Sequence, residues 1–343
     1  MNKENKMAVG ALSEAVIHHE SITAAIKSIT SAVKRNCLLN EPRHVIVTGE
    51  SGCGKTTLMD LLVKHHYPKQ QVKRGLFDGQ VPSMLRVTLP ANATPKSMAR
   101  RILVELGEHS NLNQNEAELS ERAAKYLKEF NVQLVVFDEF QHLFGLGKGA
   151  FDGASARLLA ARNWVKSMVN ASMPTTFVLM GIPELLPLVH GDPQLERRFT
   201  VKASLPRFNC PEKDKSEFAR FFDSLLNTAA ELLGRKDLAL RIRHDLPAAR
   251  RLFLATGGVP SAIKELVTDA LISALEQGQN HIALGDLGVA LKLDREPVLD
   301  AKREQAVRRQ RFSIMQRLVM NVVNPLSADM DYVDQCLHEL TVH

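Results

Sequence analysis

Residues 49–56, with the sequence GESGCGKT, place three glycines and a lysine between two apolar segments. Their spacing fits the pattern G-x-x-x-x-G-K-[ST]. They follow a predicted strand and open a predicted helix, which is the context that a phosphate-binding loop requires. Glycines allow such a loop to curl so that successive backbone N–H groups point inward, where they and the helix N-terminus bind phosphate oxygens. The segment therefore predicts a nucleoside triphosphate site.

Side chains in the same loop have the chemistry that a triphosphate and its metal need. We expect Lys55 to reach the β- and γ-phosphates and the Thr56 hydroxyl to bind Mg²⁺. Cys53 is interpreted as a tolerated small residue. The predicted nucleotide-binding residues of the loop are Gly49, Glu50, Ser51, Gly52, Cys53, Gly54, Lys55, Thr56 and Thr57.

A pair of carboxylates follows a second buried strand, in the segment LVVFDEF. Asp138 would lie at the carboxyl end of that strand, where open α/β sheets bind their ligands. We expect Asp138 to hold Mg²⁺ through water, and Glu139 to orient and deprotonate the water that attacks the γ-phosphate. Acids are common after strands, but beside a phosphate-binding loop the catalytic interpretation is favoured.

Two arginines stand at the end of a third segment, GDPQLERRF, at residues 191–199. Asp192 and Pro193 are typical of a helix start, so a short helix is expected to present Arg197 and Arg198 at its other end. Arginines here cannot easily reach phosphates bound by their own chain, but they can project toward a neighbouring subunit. Such a residue stabilises the charge of the transferring phosphoryl group and is worth about 10³–10⁵ in rate. The alternative is an ordinary basic pair on the surface.

The elements that must position these groups are strands alternating with helices. Short β-rich runs occur at residues 44–48, 84–89, 133–137, 175–180 and 200–205. Most are near-continuous apolar runs, which is typical of buried parallel strands. Helical patterns lie between them, so the sequence predicts an α/β fold with a five-stranded parallel sheet and helices on both faces.

The strand pattern ends near Pro211, and helical patterns follow at 212–233, 246–256, 260–277 and 283–293. Before the first strand, a helix is expected over 21–35. We therefore predict an N-terminal helical extension, an α/β core, a small all-α unit and a tail, at residues 1–40, 41–211, 212–293 and 294–343. The tail begins within a basic stretch, 292–317, and from 326 to 343 it contains acids but no Lys or Arg, which is typical of a segment that docks on a partner or on DNA. A solvated helix and its end is the alternative.

Composition limits the possible environments. The net charge of +6 is compatible with a polyanionic partner but does not require one. No run of 18 apolar residues is present, so no membrane association is expected. The N-terminus lacks the pattern of a signal peptide, and the four cysteines are far apart in sequence, as in reduced cytosolic proteins. We expect a cytoplasmic protein.

The order of these motifs, followed by a helical unit, resembles that of AAA+ ATPases, in which the helical unit is a lid. The segments GESGCGKTTL, VVFDEFQHL, LMGIPEL and LERRF further resemble the TniB/TnsC family of ATP-dependent regulators of DNA transposition, over about residues 15–290. The resemblance implies an ATPase with ATP and Mg²⁺ as cofactors. It also implies a bacterial, DNA-associated protein that forms a homo-oligomer, either a hexameric or heptameric ring or a helical filament.

The same resemblance implies particular partners. These are double-stranded target DNA, a transposase that the oligomer recruits, and a TniQ-type target-selection protein, which in some systems is RNA-guided. The resemblance places the DNA-binding surface on two segments between the second and third strands, PANATPKSMARRI and EHSNLNQNEAELS. The first of these carries Lys96, Arg100 and Arg101. Lys96 and Arg100 are one helical turn apart, so contacts to the phosphate backbone are expected. A solvated helix face is the alternative.

Two positions depart from the AAA+ pattern. The first sensor, usually polar, falls on Met180 and Gly181, and the second, usually an arginine, falls on Ser261. Lys264, one turn further on, is the expected substitute as a point charge. We infer slow, switch-like hydrolysis, with a turnover below about 10 s⁻¹.

Two other functions remain open. A replication-initiator or helicase-loader ATPase usually has a further DNA-binding domain after the lid, for which the residues after 293 leave little room. A nucleotide-dependent scaffold that does not hydrolyse ATP would explain the missing sensors, but not the presence of Glu139 and the two arginines. A GTPase is disfavoured because no Asn-Lys-x-Asp segment occurs.

Overall fold

The computed structural model describes residues 3–39, 43–74, 77–90, 93–144, 154–234, 244–279 and 330–342. The chain divides into two compact units. The core unit is Ser21–Pro206, and the helical unit is Met1–Glu20 together with Arg207–His343. The predicted helix at 283–293 and the basic stretch at 292–317 lie outside the described residues.

The described helices are α1 (Lys3–Glu14), α2 (Glu20–Leu39), α3 (Lys55–His65), α4 (Pro95–Glu105), α5 (Glu116–Glu129), α6 (Ala154–Ala171), α7 (Leu185–His190), α8 (Pro193–Arg198), α9 (Glu217–Leu232), α10 (Leu246–Thr256), α11 (Pro260–Glu276) and α12 (Met330–Val342). The described strands are β1 (Val45–Gly49), β2 (Lys69–Arg74), β3 (Phe77–Pro82), β4 (Met84–Thr88), β5 (Leu134–Asp138), β6 (Thr176–Gly181) and β7 (Val201–Leu205). A 3₁₀ turn, Phe140–Phe144, follows β5.

A five-stranded parallel sheet forms the centre of the core unit, with the strand order β4-β5-β6-β1-β7. The predicted strands are confirmed, each within one residue at either end. In the register of the sheet, Gly49 at the end of β1 pairs with Leu205, and Asp138 at the end of β5 pairs with Thr88. The phosphate-binding loop and the carboxylate pair therefore leave the sheet at the same edge.

The three central strands, β1, β5 and β6, are buried on both faces, because alternate side chains point to opposite sides and helices cover each side. One face packs against α4, α5, α6, α7 and α8 and includes Phe137 and Leu179. The other packs against α2 and α3 and includes Val45 and Val136. Complete burial of one such side chain stabilises the fold by about 1.5–3 kcal/mol relative to exposure. The predicted α/β class, with helices on both faces, is confirmed.

An antiparallel hairpin of β2 and β3 lies between α3 and β4. The sequence pattern does not predict it, because β2 has the sequence KQQVKR with a single apolar residue, Val72. The Gln70 side-chain amide donates to the backbone oxygens of Phe130 and Asn131, at 2.8 and 3.1 Å. These bonds fix the hairpin to the end of α5.

The helical unit is formed by α1, α9, α10 and α11, with Leu12 and Phe222 among its fully buried side chains. In the same unit α12 packs on α10, where the guanidinium of Arg250 lies 3.0 Å from the carboxylate of Asp334. The predicted extension 1–40 is thus divided, because α1 packs against α9 and α11 while α2 covers the sheet of the core unit. No described helix is long and apolar enough to cross a bilayer.

Candidate nucleotide-binding site

The loop that follows β1 connects Gly49 to Lys55, the first residue of α3. Gly52 and Gly54 have φ angles of 79° and 93°, in the left-handed region that side chains disfavour. A Cβ atom on Gly49 would lie 2.9 Å from the Leu205 backbone oxygen, so β7 can approach the start of the loop only because Gly49 has no side chain. The glycines thus meet a backbone requirement, as the motif predicts.

The N-terminus of α3 differs from those of its neighbours in how it is capped. Its N-cap residue is Gly54, and no side chain caps the helix. Side-chain oxygens accept first-turn N–H groups in α4, α5, α8, α9 and α10, and they come from Thr94, Asn115, Asp192, Ser216 and Asp245. The first turn of α3 therefore keeps its N–H groups and its positive helix-dipole end for phosphate oxygens.

Lys55 has its ammonium group beside this loop. The side chain is buried and donates to the backbone oxygens of Gly49 and Glu50, at 2.7 and 3.2 Å. A triphosphate would offer the same ammonium anionic acceptors, which bind a charged donor more strongly than neutral carbonyls do. Cys53 is fully buried and belongs to the hydrophobic cluster beneath α3, which supports its interpretation as a packing residue.

Asp138, the last residue of β5, has a buried side chain. Burial raises the pKa of Asp138, and the adjacent charge of Glu139 acts in the same direction. The Glu139 N–H, which donates to Asp138 Oδ1 at 3.0 Å, opposes this rise, as do the charges of Arg86 and Lys55. Lys55 is thus near enough to Asp138 for its charge to lower the pKa of that carboxyl group. A buried carboxylate of this kind is a suitable ligand for a hard divalent cation.

Arg86, in the middle of β4, is a site residue that the sequence analysis misses. Its guanidinium lies 3.5 Å from Asp138 Oδ2 and 3.8 Å from the carboxylate of Asp60 on α3. Its only signal in the sequence is that it is the one charged residue in the apolar run MLRVTL. Arg86 thus partly compensates the buried charge of Asp138.

Glu139 has an unusual backbone and a second neighbour that the sequence analysis misses. Its φ angle is 56°, in the left-handed region. Its Oε2 accepts a hydrogen bond from Nε2 of Gln141, a buried residue of the 3₁₀ turn. The backbone N–H of His142 donates to the Glu139 carbonyl at 2.9 Å. Glu139 is therefore held through its backbone and through its side chain.

The short helix α8 is anchored at its start by Asp192. One carboxylate oxygen accepts from the N–H groups of Gln194 and Leu195, at 3.0 and 3.2 Å. The other carboxylate oxygen lies 3.0 Å from the ammonium of Lys166 on α6. Asp192 thus fixes α8, the helix with the two arginines, to α6 in the core unit.

The two arginines of α8 have different surroundings. Arg198 is half-buried, and its guanidinium donates to the backbone oxygen of Lys166 at 3.0 Å. Arg197 is exposed, and no acidic side chain of the described residues forms an ion pair with it. Arg197 is therefore the one with a guanidinium free to project toward another molecule.

We expect Asp192→Ala to lower the free energy of unfolding of the core unit by about 0.5–2 kcal/mol at neutral pH, because it removes a helix N-cap. Partial burial raises the pKa of Asp192, but the hydrogen bonds from Lys166, Leu195 and Gln194 outweigh it and leave the pKa lowered. A carboxyl group with a lowered pKa stabilises the fold above its unfolded-state pKa. That stabilisation is lost as the pH falls through its folded-state pKa.

Urea unfolding of the wild type and the Asp192→Ala variant, at neutral pH and at about pH 3, measures both effects. The difference between the two proteins should shrink at the lower pH. Gln194→Ala, an exposed position on the same helix, is the control and should stay within about 0.5 kcal/mol of the wild type. A cost that is the same at both pH values would contradict this role of the carboxylate.

Lys96, Arg100 and Arg101 lie on α4 with exposed side chains. The Lys96 ammonium is 3.4 Å from the backbone oxygen of Asn113, and both arginines face solvent. The helix begins with a capping box formed by Thr94 and Ser97, followed by Pro95, which fixes its start. The three cations are therefore presented on an ordered element of the core unit.

Lys264 lies in the second turn of α11, within the helical unit. Its ammonium donates to the backbone oxygen of Ala15 at 2.7 Å, just beyond the end of α1. Burial lowers the pKa of Lys264. The residue before α11 is Val259, and no side chain caps this helix. Lys264 thus binds a carbonyl of its own unit.

The described residues contain no group of three or more His, Cys, Asp or Glu side chains that could hold a metal ion. Mg²⁺ in nucleotide sites is usually bound by one or two protein side chains, together with phosphate oxygens and water. Thr56, at the start of α3, and the buried carboxylate of Asp138 have the oxygen chemistry that such a site needs. The residues present therefore fit a magnesium nucleotide.

Solved structures share this fold at low sequence identity. Cdc6p from Pyrobaculum aerophilum is similar over 97% of this chain and 83% of its own length, with a TM-score of 0.56 and 13% identity. The ORC1 protein of Aeropyrum pernix in complex with DNA is similar over 95% of this chain and 84% of its own, with a TM-score of 0.52 and 14% identity. The A. pernix ORC2 protein in ADPNP–ADP complexes is similar over 94% and 79%, with a TM-score of 0.51 and 17% identity.

A phosphate-binding loop after β1, a carboxylate pair at the end of β5 and an arginine-bearing helix before β7 define an AAA+ ATPase, in agreement with these neighbours. A family model described as "Bacterial TniB protein" matches residues 10–210, which is more than half of the chain. The chain belongs to the TniB family. A comparison with curated proteins found no match.

Proposed function

We propose that this chain is an ATP-hydrolysing switch that assembles on double-stranded DNA and regulates DNA transposition, linking target selection to transposase recruitment. The observation that carries the proposal is the uncapped first turn of α3, with Lys55 beside it and the carboxylates of Asp138 and Glu139 at the same sheet edge. Membership of the TniB family supports the assignment to transposition.

The residues of the site divide into binding and reacting groups. The first-turn N–H groups of α3 and the ammonium of Lys55 bind the triphosphate, while Thr56 and Asp138 hold Mg²⁺. The nucleotide would supply the phosphoryl group, and the bound Mg²⁺ would neutralise its charge. Glu139 orients the attacking water and accepts its proton. Ser51 and Thr57 complete the loop around the phosphates.

Hydrolysis in this proposal requires a second copy of the chain. Arg197 projects from α8 into solvent, whereas Arg198 is held by the Lys166 carbonyl. We assign Arg197 as the residue that stabilises the transferring phosphoryl group in the neighbouring subunit, and Arg198 as the residue that holds α8 to α6. A ring or a helical filament would place each Arg197 at the next subunit's site.

DNA contact is assigned to Lys96, Arg100 and Arg101. Their exposure on α4 supports contacts to phosphates, which are salt-sensitive and independent of sequence. One structural neighbour, the A. pernix ORC1 protein, is described in complex with DNA. A transposase and a TniQ-type selector are the proposed protein partners in the bacterial cytoplasm, with the tail at 294–343 as a docking segment.

Binding of a labelled DNA duplex, measured by fluorescence anisotropy with and without Mg-ATP, tests this proposal. We expect binding that depends on ATP and weakens steeply between about 50 and 200 mM salt. Lys96→Ala/Arg100→Ala should weaken binding to all duplex sequences and reduce the salt slope by about two. Lys125→Ala/Lys128→Ala, which removes two exposed lysines of α5, is the matched control. Absence of ATP-dependent binding at about 50 mM salt would contradict the proposal.

A second candidate function is a nucleotide-dependent scaffold that does not hydrolyse ATP. It is favoured by the hydrogen bond from Lys264 to the Ala15 backbone oxygen, because this bond engages the ammonium group that would replace the second sensor. A replication-initiator role has weaker support, because the Cdc6 and ORC structures are 17% identical to this chain or less and share only its fold.

A further inference from the structure

The side chain of Gln141 connects Glu139 to the end of β6. Its Nε2 donates to Glu139 Oε2, and its Oε1 accepts from the backbone N–H of Ile182 at 3.4 Å. Gln141 is only 8% exposed, and both bonds are partly buried. One side chain therefore joins the proposed base to the strand end where the resemblance to AAA+ ATPases places the first sensor.

The end of β6 has space for this amide because residue 181 is glycine. A Cβ atom on Gly181 would overlap Oε1 of Gln141. The preceding residue, Met180, is fully buried in the core beneath the sheet and has no polar group to offer. The Gln141 amide thus lies against the end of β6, which is the strand end that lacks a polar sensor side chain.

The backbone conformation of Glu139 explains why the contact between its carboxylate and Gln141 matters. A non-glycine residue in the left-handed region is strained, and such residues persist where their surroundings hold them. The Glu139 N–H donates to Asp138, and its carbonyl accepts from His142. The backbone sets the starting direction of the side chain, and the contact with Gln141 fixes its carboxylate.

We propose that Gln141 is a positioning residue for ATP hydrolysis. Its amide holds the Glu139 carboxylate at the strand end where a polar first-sensor side chain is missing. The inference rests on the proposed function. Water attacks the γ-phosphorus, the bond to the ADP oxygen breaks, and Glu139 takes the proton from the water. Because Oε2 of Glu139 is held by Gln141, Oε1 is the oxygen that receives this proton.

The test combines Gln141→Met, which keeps the length of the side chain but removes the donor, with Gly181→Ala, which displaces the amide without touching Glu139. Steady-state phosphate release gives kcat, and anisotropy of a fluorescent ATP analogue with Mg²⁺ gives Kd. We expect each variant to lower kcat about 10- to 100-fold and to leave Kd within about twofold. Gln80→Met, at an exposed position of the β2–β3 hairpin, is the control.

The double variant distinguishes positioning from general damage. If Gly181→Ala acts by displacing the Gln141 amide, it should lower kcat no further once that amide is absent. Additive losses, a Kd that rises as much as kcat falls, or a kcat of Gln141→Met within about threefold of the wild type would each overturn the inference. Absence of hydrolysis by the wild type would overturn the proposed function as well, whereas the other outcomes leave that function intact.

Discussion

The Glu139→Gln protein is expected to bind Mg-ATP with the affinity of the wild type and to hydrolyse it about 10²–10⁴-fold more slowly. The amide has the shape of the carboxylate but cannot accept the proton of the attacking water. Nucleotide affinity should be unchanged, because the groups assigned to the phosphates are the first turn of α3 and Lys55.

Phosphate release and binding of a fluorescent ATP analogue measure these two quantities. Glu118→Gln, which neutralises an exposed carboxylate of α5, should behave as the wild type. The result also decides between the two candidate functions. If the wild type and the Glu139→Gln variant bind ATP and neither releases phosphate, the scaffold is correct and the ATPase assignment fails.

Arg197→Ala is expected to lower turnover by about 10³–10⁵-fold, while each subunit still binds ATP. Within the part of the chain that the structure describes, the exposed guanidinium of Arg197 forms no ion pair on which the fold depends. Arg198→Ala should instead lower thermal stability, since it removes the hydrogen bond to the Lys166 carbonyl. The adjacent arginines are therefore matched controls for each other.

Mixing two inactive proteins tests whether Arg197 acts between subunits. An Arg197→Ala subunit keeps Glu139, and a Glu139→Gln subunit keeps Arg197. An interface in which the Glu139 of the first meets the Arg197 of the second therefore contains a complete site, whereas the opposite orientation lacks both residues. Phosphate release should return in the mixture and be absent from either protein alone. No recovery in oligomers proven to be mixed, or a larger loss of turnover for Arg198→Ala, would show that the assignment of Arg197 is wrong.

The sheet could be predicted because buried parallel strands have near-continuous apolar sequences, as in VIVTG and LVVFD. The phosphate-binding loop has a spacing that few other structures require. The β2–β3 hairpin could not be predicted, since its stability comes from pairing and from the bonds of Gln70 to α5 rather than from an alternating pattern. The packing of α1 in the helical unit likewise depends on contacts distant in sequence.

The missed site residues share one physical cause. Gln141 meets Ile182, and Arg86 meets Asp138, only because β4, β5 and β6 are neighbours in the sheet. A glutamine in a turn, or one arginine in a strand, has no spacing that indicates such a partner. For the same reason the sequence does not distinguish Arg197 from Arg198. The structure does so through the hydrogen bond that Arg198 donates to the Lys166 carbonyl.

The left-handed backbone conformation of Glu139 makes stability and the proposed catalytic activity conflicting requirements at this position. Residues such as glycine or asparagine adopt that conformation at lower cost, so replacing the glutamate would relax the chain and also remove the proposed base. Selection for heat resistance alone would therefore favour inactive proteins at this position. A more stable variant that keeps its activity would have to gain that stability elsewhere, in helix caps and surface charges distant from the turn after β5.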